Sequence, residues 1–144
     1  MSDLNKHPLI TRYIEFNKFG QYLGMDFQIL EPGKIEYNCR INEHHLATPH
    51  AVHGGVIAGL CDALLGVGAL SAVCSDGLVV GTIEMKVTFV APAFNHDLLK
   101  GTSVLIRKGR SIVFMEGEIK NDHGKLIAKA SGTFNAYPKE KAGY

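Results

Sequence analysis

TPHAVHGGVIAGLCDALLG, residues 48–66, is the stretch on which the fold turns. Two adjacent glycines, Gly54 and Gly55, follow His53 at the head of an apolar run, and a single carboxylate, Asp62, sits inside that run. The run continues to Val73 and is hydrophobic nearly all round, as in a helix buried within a protein rather than laid on its surface. Val56 to Val73 is apolar enough to raise the question of a membrane span. A mid-span Asp costs roughly 3 kcal/mol on insertion scales, and glycine and serine dilute the run, so the expectation is a buried helix over about 54–73. A charged side chain among alanines and leucines is either well satisfied or functional.

Outward from this helix the periodicity changes. On its N-terminal side, Leu9, Ile10, Tyr13, Phe16 and Phe19 recur at roughly helical spacing and predict a short amphipathic helix over about 8–19. GMDFQILEPGKIEYNCRI, residues 24–41, alternates Met25, Phe27 and Ile29, turns at Pro32-Gly33, and resumes with Ile35, Tyr37, Cys39 and Ile41, which is a β-hairpin. On the C-terminal side, VVGTIEMKVTFVAPA predicts a strand with Ile83, Met85, Val87 and Phe89 on one face and Thr82, Glu84, Lys86 and Thr88 on the other. Three more strands follow between residues 98 and 137, with turns at Lys108-Gly109 and Asn121 to Gly124. Six strands with short links make an antiparallel sheet, and only the 54–73 helix is long and apolar enough to fill its concave side.

Composition sets the outer bounds. With 144 residues, 46% hydrophobic and 20% charged, the chain reads as one globular α+β domain over 1–144. A net charge of +1 with interspersed signs gives no general affinity for nucleic acid or for an anionic membrane. Cys39, Cys61 and Cys74 form no C-x-x-C pair and leave one over, so they are expected to be reduced, buried thiols. MSDLNKHPLITRYIEF has neither the basic nor the apolar region of a signal peptide, and a cytoplasmic location is expected.

The order of elements, together with HGGVIAGLCDALLG, the strand TIEMKVTFVAPA and the ending GKLIAKASGTF, resembles the hotdog-fold acyl-CoA thioesterases of the phenylacetate-degradation type over about 22–136. That resemblance implies a six-stranded antiparallel sheet wrapped around a long central helix, with an acyl or aryl thioester hydrolysed to the free acid and coenzyme A. Coenzyme A is then part of the substrate and product, with no cofactor and no metal expected. It also implies a homodimer with shared active sites, which can pair into a homotetramer.

The residues carry this chemistry on their own terms. Glycine at a helix N-terminus lets a ligand approach the unpaired first-turn N–H groups, which point outward at the positive end of the helix dipole. Gly55 is therefore a candidate donor to a thioester carbonyl oxygen, with Gly54 beside it in substrate binding. Gly55, Gly59, Asp62 and Gly66 share one helix face. Asp62 is the candidate nucleophile or general base, while Gly59 and Gly66 read as close-packing positions. His53 is either a loop-ordering residue or a base, and the resemblance places it in the active-site loop. Thr82 reads as an outward strand threonine or, by the resemblance, as a hydroxyl that orients water.

One departure stands out. Where relatives commonly carry an Asn six residues before the motif histidine, this chain has Ala47, and His50 is the nearest substitute donor. His44, His45, His50 and His53 lie within ten residues without a familiar metal spacing. Arg107, Lys108, Gly109 and Arg110 form a turn suited to the coenzyme A phosphates, or else carry ordinary solvated charges. A hydratase or dehydratase, with His50 or His53 as base and Asp62 as acid, is the rival enzyme reading. A non-catalytic acyl-CoA binding module is the other. Seven residues separate Gly55 from Asp62, roughly 10 Å along a helix, so one thioester would need Gly55 of one chain and Asp62 of another.

Overall fold

The computed structural model describes residues 3–144. Its elements follow the order that the periodicities predict, with one division. The N-terminal segment is two helices, α1 (Pro8–Phe16) and α2 (Lys18–Leu23), where one helix over about 8–19 is expected from spacing. The break is Asn17, whose φ of −78° and ψ of 69° leave the helical region while its side chain accepts the Gly20 N–H at 3.1 Å. An asparagine that caps the next helix competes with continuing the first one.

Strands β1 (Met25–Glu31) and β2 (Lys34–Arg40) form the expected hairpin. Met25 stands opposite Cys39, Phe27 opposite Tyr37, and Ile29 opposite Ile35, so the alternating apolar residues share one face. Gly33 turns the hairpin at φ +82°. Its N–H donates to Ser71 Oγ at 2.8 Å and its carbonyl accepts from Ser103 Oγ at 2.9 Å, which ties the hairpin tip to the central helix and to the neighbouring strand.

The central helix α3 (Gly54–Val73) leads into β3 (Leu78–Phe89), β4 (Leu98–Lys108), β5 (Ile112–Lys120) and β6 (Leu126–Pro138). All pairings are antiparallel, in the spatial order β1-β2-β4-β5-β6-β3, with β1 and β3 at the edges. Leu60, Leu64, Leu65 and Val67 of α3 are fully buried against the sheet, which explains why so apolar a helix belongs inside this chain. Close approach depends on strand glycines: a Cβ on either Gly101 or Gly117 would sit 3.0 Å from the Leu64 Cδ2 methyl.

The Gly55 and Asp62 side of α3 is exposed. Gly59 on the same side lies under the Phe19 ring, where a Cβ would come within 3.1 Å, so close packing holds for that glycine. At Gly66 a Cβ would make only ordinary contact with Phe134, at 3.6 Å, and this glycine faces a cavity instead.

Candidate active site

Asp62 projects from the exposed side of α3 toward β3, where Thr82 Oγ1 donates to its Oδ1 at 2.8 Å. The simple alternation expected for β3 puts Thr82 on the same face as Glu84, and the structure corrects this. Thr82 pairs with Phe134, which is buried, and Glu84 pairs with Thr133, leaving Ile83 without a partner between them. One extra residue in a strand reverses the facing of everything beyond it. Glu84 therefore meets Thr133 on the outer face of the sheet, while Thr82 turns inward to the helix. The bulge at Ile83 is what brings the two candidate residues together.

Beside this pair lies a cavity of about 250 Å³. Its walls include Leu9, Leu70 and Val79, with Tyr13, Tyr137 and Tyr144 around them, and among the described residues Asp62 is the only charged one lining it. Burial pushes the Tyr13 phenol above its ordinary pKa, and the charge of Asp62 pushes the same way, so the ring keeps its proton at neutral pH. None of these tyrosines is marked by a local sequence pattern. Tyr13 reads as one apolar position of an amphipathic helix, and only the tertiary fold sets it beside residues of β6 and the segment after it.

The N-terminus of α3 forms the second half of the candidate site. His53 is its N-cap, with φ −62° and ψ 132°, and its Nδ1 accepts the Gly55 N–H at 2.7 Å. The Gly55 N–H is thus engaged by His53, whereas the reading from its place at the helix start leaves it open to a ligand. Gly54 is the first helical residue, and among the described residues its N–H has no partner within the chain, as expected at the first turn. The loop before it is fixed by backbone bonds: His53 N–H to His45 carbonyl at 2.8 Å, Val52 N–H to Ala93 carbonyl at 2.9 Å, and Asn95 N–H to His50 carbonyl at 3.0 Å.

A groove of about 400 Å³ runs past His53 and Gly55, bounded by Phe19, His44 and Leu46. His50 is exposed and lines neither this groove nor the Asp62 cavity, so the structure does not bring it to the other candidates. His45 is buried and committed elsewhere: its Nδ1 accepts the Asn42 N–H and its Nε2–H therefore donates to the Leu23 carbonyl at 2.8 Å.

Lys108, Gly109 and Arg110 lie far from that groove. Lys108 Nζ contacts Asp76 Oδ2 at 2.7 Å, which fixes the turn near the C-terminal end of α3, roughly 20 Å along the helix from Asp62 and roughly 30 Å from Gly54. The pairing is exposed on both sides and holds the Lys108 side chain toward Asp76. Arg110 is exposed and makes no ion pair among the described residues. Gly109 is held by its own N–H, which donates to the Ile112 carbonyl at 2.8 Å. Cys61, beside Asp62 in sequence, is fully buried, and desolvation pushes its thiol up to about 12, far from a nucleophile's range.

A carboxylate oriented by a hydroxyl beside a largely apolar cavity, on a helix wrapped by an antiparallel sheet, has the groups needed to act on an apolar electrophile. Comparison with known proteins gives the family. Residues 50–128 match the family model described as the thioesterase superfamily. The chain is 31% identical over 105 residues to a "Putative esterase" of Saccharolobus solfataricus, covering 73% of each chain. It is 26% identical over 104 residues to acyl-coenzyme A thioesterase 13 of Homo sapiens, covering 71% of this chain and 72% of that one. Among solved structures, the PaaI protein from the phenylacetic acid degradation operon of E. coli superposes with a TM-score of 0.84 at 21% identity, over 94% of this chain and 96% of that one. A hypothetical thioesterase from Streptococcus pneumoniae, solved with coenzyme A, has a TM-score of 0.72 at 21% identity, over 79% and 89%. The chain belongs to the thioesterase superfamily, and its class of chemistry is thioester hydrolysis.

Proposed function

We propose that the protein hydrolyses an acyl-coenzyme A thioester to the free acid and coenzyme A, with Asp62 as nucleophile or general base. The observation that carries this reading is the Asp62–Thr82 pair at the mouth of the apolar cavity. Thr82 occupies Oδ1 and leaves Oδ2 for the substrate. In the nucleophilic route Oδ2 adds to the carbonyl carbon, the C–S bond breaks to release thiolate, and water then cleaves the acyl–Asp62 anhydride. In the general-base route Oδ2 takes a proton from water as its oxygen adds to the carbonyl. Both consume one water and release acid and thiol.

The developing oxyanion needs a preorganised donor, and the unpartnered Gly54 N–H at the positive end of α3 is suited to that work. Gly55 contributes indirectly, since its bond to His53 holds the loop in place. Eight residues separate Gly54 from Asp62, roughly 12 Å along the axis, whereas reacting groups must lie within about 3.5 Å. A two-fold homodimer with antiparallel α3 helices meets both demands and builds two identical sites. The exposure of Gly55 and Asp62 on α3 supports this, as does edge strand β3, which leaves Ile83 54% and Phe89 56% exposed. Two such dimers pairing would give the tetramer.

The rival hydratase chemistry needs a histidine base near Asp62. His53 Nδ1 is engaged with Gly55, and His50 lies outside both cavities. The test is thiol release from a panel of acyl-coenzyme A esters, with an Asp62→Asn variant as control. Turnover should fall about 10²–10⁴-fold in that variant, the usual range for a lost acid or base, while binding changes little. Near-normal turnover by folded Asp62→Asn protein would exclude the mechanism, and binding without turnover by the wild type would leave the binding-module reading in its place.

A further inference from the structure

We infer that the cavity beside Asp62 is the acyl subsite and that Tyr144 closes its far end, restricting the enzyme to compact acyl groups. The inference rests on the proposed thioester hydrolysis. A thioester with its carbonyl at Asp62 has two arms to place, and their chemistry differs. The coenzyme A arm carries amides and phosphates, which need donors and cations. Among the described residues no cation lines the cavity, which is walled by Leu9, Leu70, Val79 and the tyrosine rings, so it fits the acyl arm.

The closure is built from two distant parts of the chain. Tyr144 lines the cavity, and its ring packs edge-on against Phe16 of α1, with centroids 6.4 Å apart at 68°. The Arg12 guanidinium lies 4.9 Å from the Phe16 centroid and 5.7 Å from that of Tyr144, which clamps the second ring to the first. Arg12 and Phe16 thus hold Tyr144, the one of the three that lines the cavity, as a latch, with Tyr13 from the same helix also in the lining. At the roughly 30 Å³ that a water occupies in the liquid, a cavity of about 250 Å³ holds about eight heavy atoms. A hexanoyl chain or a single-ring aryl acetyl group fits behind the latch, and a dodecanoyl chain does not.

The experiment compares kcat/KM for hexanoyl-, phenylacetyl- and dodecanoyl-coenzyme A in the wild type, Tyr144→Ala and Arg12→Ala. The wild type should prefer the two compact esters at least tenfold over dodecanoyl. Tyr144→Ala should raise the dodecanoyl-to-hexanoyl ratio at least tenfold, and Arg12→Ala, which leaves the ring but removes its clamp, about threefold. An unchanged ratio in both variants, with hydrolysis still lost in Asp62→Asn, overturns the subsite while leaving the proposed function standing. An equal change in KM for all three esters also overturns it, because the cavity would then lie under the coenzyme A arm. Failure of the wild type to hydrolyse any thioester removes the proposed function and this inference with it.

Discussion

Thr82→Val tests the bulge and the site in one substitution. Valine keeps the β-branched shape and the strand preference of threonine, so the change is confined to the Oγ1 donor that meets Asp62 Oδ1 at 2.8 Å. A hydrogen bond to a charged group contributes about 1.5–3 kcal/mol net, and exposure of Asp62 to solvent favours the lower end. At about 1.4 kcal/mol per tenfold, loss of this bond should reduce kcat about tenfold, with KM moving less. That is well short of the 10²–10⁴-fold expected for Asp62→Asn, because Thr82 is a positioning residue that acts through Asp62. The decisive assay is therefore the double-mutant cycle. In the Asp62→Asn background, Thr82→Val should cost less than about twofold, since the carboxylate it orients is already gone. Steady-state thiol release, with thermal unfolding as a check on the fold, measures all four corners. Additive effects, or a single-variant kcat within twofold of wild type, would show that the Thr82–Asp62 bond does not serve the reaction.

The shared site is tested by Gly54→Pro, because proline at the first helical position removes the N–H at little structural cost, and His53 at ψ 132° already has the backbone proline requires before it. That variant should lose about 10²–10³-fold in kcat. Re-associated at random with an equal amount of Asp62→Asn, it should recover about a quarter of wild-type activity, since about half the dimers then hold one intact site; heterodimers seen by native mass spectrometry without recovery would mean that each site lies within one chain. Ser71→Ala should destabilise the fold by about 1–3 kcal/mol in urea titration, because it strands the buried Gly33 N–H, and an unchanged midpoint would deny the hairpin anchor any energetic role. All three thiols are buried and shifted upward by desolvation, Cys39 to about 11 and Cys61 to about 12, so native protein at pH 8 should label with a thiol reagent only as fast as it opens. By the same shifts the folded state holds protons that the unfolded chain gives up above about pH 9, so stability should decline from there toward pH 12; a flat profile would contradict the burial.

The amino-acid sequence by itself determined the strand hairpin at 24–41, the buried helix at 54–73 and the antiparallel run after it, because period-two and helical patterns are local and each was written without interruption. It also singled out Asp62, because a lone carboxylate in an apolar run is conspicuous without any structure. Three things were decided only by the tertiary structure, each because a distant or subtle partner intervenes. Thr82 faces the helix because one unpaired residue, Ile83, shifts the β3–β6 register, and nothing in TIEMKVTF distinguishes that from plain alternation. The open donor at the helix start is Gly54 rather than Gly55, because the Nδ1 of His53 folds back onto the second glycine, a choice of rotamer that spacing cannot express. Lys108 pairs with Asp76, thirty-two positions away, and the cavity beside Asp62 is lined by Tyr144 together with Leu9 and Tyr13 of α1, contacts that exist only once the sheet has wrapped around its helix.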